Sequence, residues 1–194
     1  MQQENQERMN NIKEILYRTI KGDITPDEFE KWLYSSEGVD TYFNPDDYLA
    51  LMSFDFKSKG AKYELSNLLK KHIDLGEFET YKILGLLKEA QQKTDRLPYI
   101  LMEFYDLYCY GYTFLHDIGL EIGLEVVVPE ETDSADDTWE DLTAEQQKRL
   151  LDSFSPRLEA YIEQAIYWLE SKKIMPTGEK DKAGHYGYKD FRTV

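Results

Sequence analysis

The chain has 194 residues, of which 41% are hydrophobic and 14% aromatic, and its 38 acidic against 23 basic residues give a formal net charge of -15. This apolar content is typical of a folded globular protein and excludes a disordered chain, and the length suits one well-cored domain. Because so acidic a molecule repels nucleic acid and anionic membrane surfaces, we expect neither as a partner, and the charge favours a basic protein instead.

The first predicted element is an amphipathic helix near the N-terminus. Its apolar residues recur at helical spacing from Ile12 to Ile20, and the pattern ends near Gly22. The residues before it lack the features of a secretory signal, and no apolar run reaches the roughly 18 to 20 residues that cross a bilayer. A single cysteine excludes an internal disulfide and favours a reducing compartment. We therefore expect a cytoplasmic protein.

Three short helices with clear start signals are predicted next. Thr25 is placed to cap a helix, and Glu28 lies three residues later, where its carboxylate reaches back to the cap amide. Asn44, followed by proline, repeats this start signal for a second helix. A leucine stripe after Gly60 predicts a third.

Two longer helices are predicted over about 76–92 and 97–118, joined by a turn at 93–96. When the 97–118 helix is drawn on a helical wheel, one face is apolar and is predicted to face the core, and the adjacent stripe of residues widens this apolar face. The helix is therefore predicted to be central in the fold. Cys109 and His116 belong to the adjacent stripe, and we interpret them as core or core-edge residues. A reactive cysteine needs an electropositive setting, whereas Cys109 has neighbouring aspartates.

A third stripe of the 97–118 helix is polar and is a candidate site. It contains three carboxylates and two phenols among Tyr99, Glu103, Asp106, Tyr110, Thr113 and Asp117. Carboxylates on a rigid helix beside tyrosines can imitate a nucleic acid and occupy the basic cleft of a protein partner. They can also bind a cation through oxygen ligands, or form the solvated side of a largely buried helix. All three interpretations stay open at this point.

An acidic stretch follows this helix. Residues 124–128 are rich in valine and are predicted to form a short extended segment. From Glu121 to Gln147 there are ten acidic residues and no lysine or arginine, so residues 129–141 are predicted to be a solvated acidic linker or a docking surface. Trp139 stands among these acids, either as an anchor for a partner or as a residue that folds back on the core.

The C-terminal part resumes the helical pattern and then loses it. Thr143 with Gln146 forms another capping box, and a last helix is predicted after Ser155. Residues 175–194 have no helical period and are predicted to be a tail that is packed on the surface or loosely ordered. The sequence therefore predicts an all-α, single-domain bundle of about seven or eight helices over residues 1–174.

Enzyme motifs are not found in the sequence. There is no phosphate-binding glycine loop, no HExxH, no GxSxG and no CxxC, and no histidine has a glutamate three residues before it. Catalysis is unsupported, and we expect no cofactor and no metal site. A carboxylate-based metal-binding or enzymatic bundle and a DNA-mimicking regulatory module stay open as alternatives.

The segments KGDITPDEFEKWLYSSEGV and YLALMSFDFKSKGAKYELSNLL, within residues of about 20 to 90, resemble the small acidic helical immunity proteins of bacterial colicin, contact-dependent inhibition and polymorphic-toxin systems. The resemblance implies cytoplasmic residence and tight, stoichiometric neutralisation of one cognate toxin. Such a toxin is often a basic nuclease, whose active site or an adjacent exosite is covered by an acidic surface.

The charge and the resemblance lead to one hypothesis, that the chain binds and inhibits a basic protein partner, a nuclease-type toxin. The candidate contact residues are acidic or aromatic and lie on the 97–118 helix and in the acidic stretch: Glu103, Asp106, Tyr110, Asp117, Glu130, Glu131, Asp136, Asp137, Trp139 and Glu140.

Overall fold

The structure is a computed structural model, and it describes residues 2–130 and 138–192. Most of these residues are helical, so the predicted all-α class is confirmed as a mostly-α class, and one small antiparallel sheet is added to it. No helix among the described residues is long and apolar enough to cross a membrane. The chain divides into two compact units, residues 1–78 and 79–194, where the sequence analysis expects a single bundle.

The first unit contains five helices and a 3₁₀ turn among its described residues, and the start of a sixth helix. These are α1 (Gln2–Lys21), α2 (Pro26–Ser35), α3 (Val39–Tyr42), α4 (Pro45–Met52), α5 (Ala61–Leu69), a 3₁₀ turn (Lys70–His72), and the first residues of α6 (Leu75–Gln91). The helices bury one continuous set of aliphatic and aromatic side chains, including Leu16, Phe29, Leu51 and Leu65.

The helix starts in this unit follow the sequence closely. Thr25 and Glu28 form the predicted capping box, in which the Thr25 amide donates to Glu28 Oε2 over 2.8 Å. Asn44 caps α4 by accepting a hydrogen bond from the Asp47 amide at 2.9 Å. Because these caps satisfy amides that a helix leaves unpaired, they fix where each helix begins.

The second unit is built on the rest of α6 and on α7 (Leu97–Cys109). A chain of short helical segments follows: a 3₁₀ turn (Thr113–Leu115), α8 (His116–Ile118), a π-helical segment (Gly119–Gly123) and α9 (Leu124–Val127). After the 3₁₀ turn Trp139–Asp141 come α10 (Ala144–Ser153), α11 (Arg157–Glu170), β1 (Ile174–Lys180) and β2 (Tyr186–Asp190). The described residues thus form more and shorter helices than predicted.

The prediction of one continuous helix over 97–118 is wrong. α7 ends at Cys109, and Gly111 has a φ of +113°, a left-handed conformation that favours glycine. A Cβ at Gly111 would lie 2.6 Å from the carbonyl oxygen of Tyr186, so the chain turns where β2 approaches it. As a result Cys109 is exposed and the side chain of His116 is 48% exposed, which corrects their assignment to the core.

Residues 124–128 are not extended, because Leu124–Val127 form α9 and Val126 is fully buried. This helix continues the π-helical segment, which packs closely on α7. Built Cβ atoms at Gly119 and Gly123 would lie 2.6 Å and 2.4 Å from backbone oxygens of α7. Close helix packing therefore overrides the strand preference of the valines.

The tail 175–194 is a β-hairpin over its described residues, and not a loosely ordered segment. β1 and β2 pair antiparallel, with Ile174 opposite Asp190 and Pro176 opposite Tyr188. The hairpin is held by the second unit's core, because the ring of Tyr186 stacks on buried Tyr112 with centroids 5.0 Å apart. The Tyr186 amide also donates to the carbonyl oxygen of Tyr110 over 2.7 Å.

Candidate functional site

The exposed side of α7 carries the first part of the polar stripe predicted from the sequence. Tyr99 and Tyr110 are 50% and 57% exposed, and Glu103 and Asp106 are exposed between them. The four residues follow the three-and-four spacing of one helix face. At about 1.5 Å per residue, Tyr99 and Tyr110 lie roughly 16 Å apart along the helix axis. We call these four residues the α7 face.

The α7 face is held in place by the buried side of the same helix. Ile100, Leu101 and Phe104 are fully buried in the core of the second unit. The tight contacts from Gly119 and Gly123 also reach α7 on this buried side. A helix anchored in this way presents its exposed side chains from a fixed backbone, so a partner would not have to order it on binding.

The two carboxylates of the α7 face have no internal partner. Among the described residues, neither the Glu103 nor the Asp106 side chain forms a hydrogen bond or an ion pair. The sequence of α7, LPYILMEFYDLYC, contains no lysine, arginine or histidine. Both negative charges are therefore available to an external cation or hydrogen-bond donor.

The predicted stripe does not continue beyond Tyr110. Because α7 ends at Cys109, Thr113 lies in a 3₁₀ turn and Asp117 in α8. Asp117 instead lies beside His116, whose Nδ1 is 3.2 Å from Asp117 Oδ1. Asp117 is thus separated from the α7 face, with which the sequence analysis grouped it.

An open groove of about 680 Å³ begins at one end of the α7 face. Tyr99 belongs to the α7 face and also lines the groove. The other lining residues come from the 93–95 turn, the start of α7, residues 139–140, α10 and the start of α11. The groove is partly apolar, with Leu97, Pro98, Trp139, Leu151 and Leu158 among its lining residues. It has the mixed character of a protein or peptide contact surface, and the sequence analysis did not predict it.

The charges around the groove leave a net acidic rim. Lys93 is bound to Glu159 and donates to Ser155 Oγ over 3.0 Å, and Lys148 is paired with Asp152. The side chains of Asp95 and Glu140 form no hydrogen bond or ion pair with the described residues. With both groove lysines neutralised internally, two free carboxylates remain at the rim.

Lys93, which lines the groove, is fixed by its backbone and its partners. Lys93 has a φ of +48°, an uncommon conformation for a residue with a side chain. The hydrogen bond from Lys93 lowers the pKa of Glu159 to about 2, with a second contribution from Ser155. The pair therefore stays ionised at neutral pH and joins the 93–96 turn to the start of α11.

Trp139 is placed by the structure in the core rather than on the surface. Its side chain is only 5% exposed, and it belongs to the apolar cluster of the second unit. Gln147 Nε2 donates to the Trp139 carbonyl oxygen over 2.9 Å, which joins the 3₁₀ turn to α10. Of the two interpretations of Trp139, the exposed anchor is therefore corrected and the other is confirmed: Trp139 folds back on the core, where it also lines the groove.

The remaining predicted contact residues lie around the acidic stretch. Glu130 and Glu140 are exposed. Glu131, Asp136 and Asp137 lie outside the described residues. The structure therefore brings together Tyr99, Glu103, Asp106, Tyr110 and, through the groove, Trp139 and Glu140.

Side chains suited to a metal ion occur together once within residues 2–130 and 138–192. They are His116, Asp117 and Glu121, whose ligand atoms lie within 4.8 Å of one another. No family model, no curated protein and no solved structure matches the chain.

Proposed function

We propose that this chain is an acidic protein-binding inhibitor of the immunity-protein type, which neutralises a basic, nuclease-type toxin in the cytoplasm. The observation that carries the proposal is the α7 face, where two unpaired carboxylates stand between two half-exposed tyrosines on a rigid helix. The net charge of -15 and the unpaired acids at the groove rim support the same kind of partner.

The chemistry of the α7 face suits a basic protein better than other ligands. Arginine and lysine form charge-assisted hydrogen bonds with carboxylates, and their cations also stack on exposed tyrosine rings. Within the described part of the chain, Glu103 and Asp106 have no ion pair to break, so binding does not have to displace a lysine or arginine there. Tyrosine adds contact area at a low cost in side-chain entropy.

The groove adds an apolar contact beside this charged surface. Stable protein interfaces combine an apolar centre with a polar rim, and the groove provides Leu97, Pro98 and Leu151 next to Tyr99. The long-range attraction between the chain, with its net charge of -15, and a basic partner accelerates their encounter, whereas the local contacts determine how long the complex lasts.

The proposal is tested by using the tagged protein to capture partners from the lysate of its own host at low salt. A recovered basic protein is then produced separately, and its association and dissociation rates are measured at several salt concentrations. We expect a 1:1 complex whose association slows steeply with salt, and we expect the chain to relieve growth arrest when that protein is expressed in cells.

Charge-matched variants locate the binding surface. E103K/D106K and E7K/E14K each replace two exposed acids with lysines, so both take the net charge from -15 to -11. We expect the α7 variant to weaken binding at least tenfold more than the α1 variant. Equal losses in both variants would reject the α7 face as the contact surface, and a complex insensitive to salt and to both variants would reject the electrostatic mechanism.

A further inference from the structure

A second group of charged side chains lies in the short helical segments that follow α7. His116 Nδ1 is 3.2 Å from Asp117 Oδ1 and 4.0 Å from Glu121 Oε1. The three side chains are 48%, 47% and 42% exposed. They are therefore close enough to share one small ion, free enough to adjust their rotamers, and accessible to water.

Glu121 lies in the π-helical segment, Gly119–Gly123. In a regular α-helix, a residue five positions on is rotated by about 140° and points to a different face. Here the Leu124 amide donates to the carbonyl oxygen of Gly119, five residues earlier, so the helix is wider at this point. From this segment, Glu121 Oε1 comes to 4.0 Å from His116 Nδ1, although the two residues are five apart in the chain.

A residue from another helix orients the glutamate. The Tyr161 hydroxyl, on α11, donates to Glu121 Oε2 over 3.1 Å, and this hydrogen bond raises the pKa of Tyr161. The other oxygen, Oε1, is the one directed at His116. The His116 ring is itself packed edge to face on Tyr108, with centroids 5.7 Å apart. Metal-binding carboxylates and imidazoles are commonly held by such outer contacts.

The charges of the group are unbalanced. Among the described residues, the ion pairs of Asp117 and Glu121 are with His116 alone. Arg192, whose charge also acts on Asp117, is bound to Asp190 at 2.5 Å and lies over the Trp168 ring at 4.3 Å. Two carboxylates thus share one imidazole, which carries one positive charge at most, and a divalent cation would balance them.

We propose that His116, Asp117 and Glu121 bind a divalent transition-metal ion of the zinc class, with Tyr161 as a positioning residue. One imidazole nitrogen and two carboxylate oxygens form a ligand set that zinc accepts, with water in the remaining position. Zinc ligands at about 2.0–2.2 Å lie roughly 3.3–3.6 Å from one another, so the present spacing needs only small rotations. The imidazole disfavours calcium and magnesium, which take oxygen ligands.

The chain offers a direct test because it has only three histidines, at 72, 116 and 185. Metal-free, isotope-labelled protein is titrated with Zn²⁺, and the side-chain nitrogen signals of all three histidines are followed by NMR. We expect the His116 Nδ1 signal to shift and to saturate at one zinc per chain, while His72 and His185 stay unchanged below that ratio.

His185 is the matched control, because it forms an exposed pair with Asp181 at 3.4 Å but belongs to no three-ligand group of the residues that the structure describes. We expect H116A and E121Q to abolish saturable zinc binding and H185A to leave it intact. Y161F should weaken binding about tenfold without changing the 1:1 ratio. Circular dichroism confirms that each variant is folded.

The proposal is overturned if His116 does not saturate at one equivalent of zinc, or if H185A and H116A weaken binding to the same degree. Binding to folded H116A or E121Q with unchanged affinity would likewise show that the ion binds elsewhere. Mn²⁺ and Ca²⁺ are titrated in parallel, and tighter binding of Ca²⁺ than of Zn²⁺ would contradict a role for the imidazole.

Discussion

Two pairs of carboxylates in the second unit are alike in sequence and different in structure. Glu103 and Asp106 lie on a regular α-helix and have no partner among the described residues, whereas Asp117 and Glu121 surround His116 on a chain that includes a π-helical turn. Glu103 and Asp106 are suited to the extended surface of a basic protein, whereas Asp117 and Glu121 are suited to a single small ion. The local backbone, not the residue type, separates the two roles that we propose for these pairs.

The largest effect is expected at Gly123, whose close contact with Leu101 packs the π-helical segment against α7. In G123A, the new Cβ would lie 2.4 Å from the Leu101 carbonyl oxygen, so the π-helical segment must shift away from α7. We expect a loss of about 2–3 kcal/mol in the free energy of unfolding, measured by urea denaturation.

Gly85 is the control for this substitution, because a Cβ there meets no atom within 4 Å. It lies in α6, where alanine is a better helix former, so G85A should stabilise the protein by about 0.5–1 kcal/mol. A destabilisation of the same size in both variants would show that the close packing of Gly123 is not the cause.

Zinc should stabilise the protein through the second pair of carboxylates and not through the first. If the free Zn²⁺ concentration is ten times the Kd, binding to the folded state alone adds about 1.4 kcal/mol. We expect this increase, measured by denaturation with and without zinc, in the unsubstituted chain and in E103Q/D106N. The increase should vanish in H116A and in E121Q, and its persistence there would contradict the assignment of the ligands.

Unlike Glu103 and Asp106, the carboxylate of Glu159 forms an ion pair with a lysine of the same chain, and this pair lowers its pKa. Lys93 lowers the pKa of Glu159 from 4.5 to about 2, so this ion pair stabilises the fold above pH 4.5 and is lost as the pH falls towards 2. Because the side chain is 39% exposed, solvent screening limits the contribution to about 0.5–1 kcal/mol. E159Q should therefore lower stability at pH 6 more than at pH 3, as followed by denaturation at each pH.

Glu163 is the control for this pH dependence, since it lies on the same helix and forms no ion pair with the described residues. E163Q should leave the difference in stability between pH 6 and pH 3 close to that of the unsubstituted chain. If E159Q and E163Q change that difference equally, general charge and not the Lys93 contact is responsible.

The smallest effect is expected for the α7 face itself. E103Q/D106N removes two exposed, unpaired charges, so the free energy of unfolding should change by less than about 0.5 kcal/mol. The same variant should slow association with a basic partner. A large loss of stability would reveal a structural role for these carboxylates and would weaken their interpretation as a binding surface.

Features that depend on neighbouring residues in the chain were predicted well from the sequence. The capping boxes at Thr25 and Thr143 are present, and the spacing of Tyr99, Glu103, Asp106 and Tyr110 correctly predicts one helix face. These signals are local, because a cap acts over three residues and a helix face repeats every three or four.

Features that depend on distant contacts were missed. The helix break at Gly111 depends on the approach of Tyr186, which lies 75 residues later in the chain. Its sequence signal was a single glycine within an otherwise helical pattern. The group around His116 was missed for a different, local reason, because on a continuous α-helix Glu121 and His116 point in different directions.

The sequence by itself determined the acidic charge, the helix starts and the polar face of α7, since composition, caps and helical periodicity act through neighbouring residues. Only the tertiary structure decided that Trp139 is buried, that the C-terminal segment forms a hairpin, and that His116 meets two carboxylates. Each of these depends on packing between segments that are far apart in the chain or on a helical turn of unusual width. Such packing offsets the local preferences of valine, glycine and tryptophan.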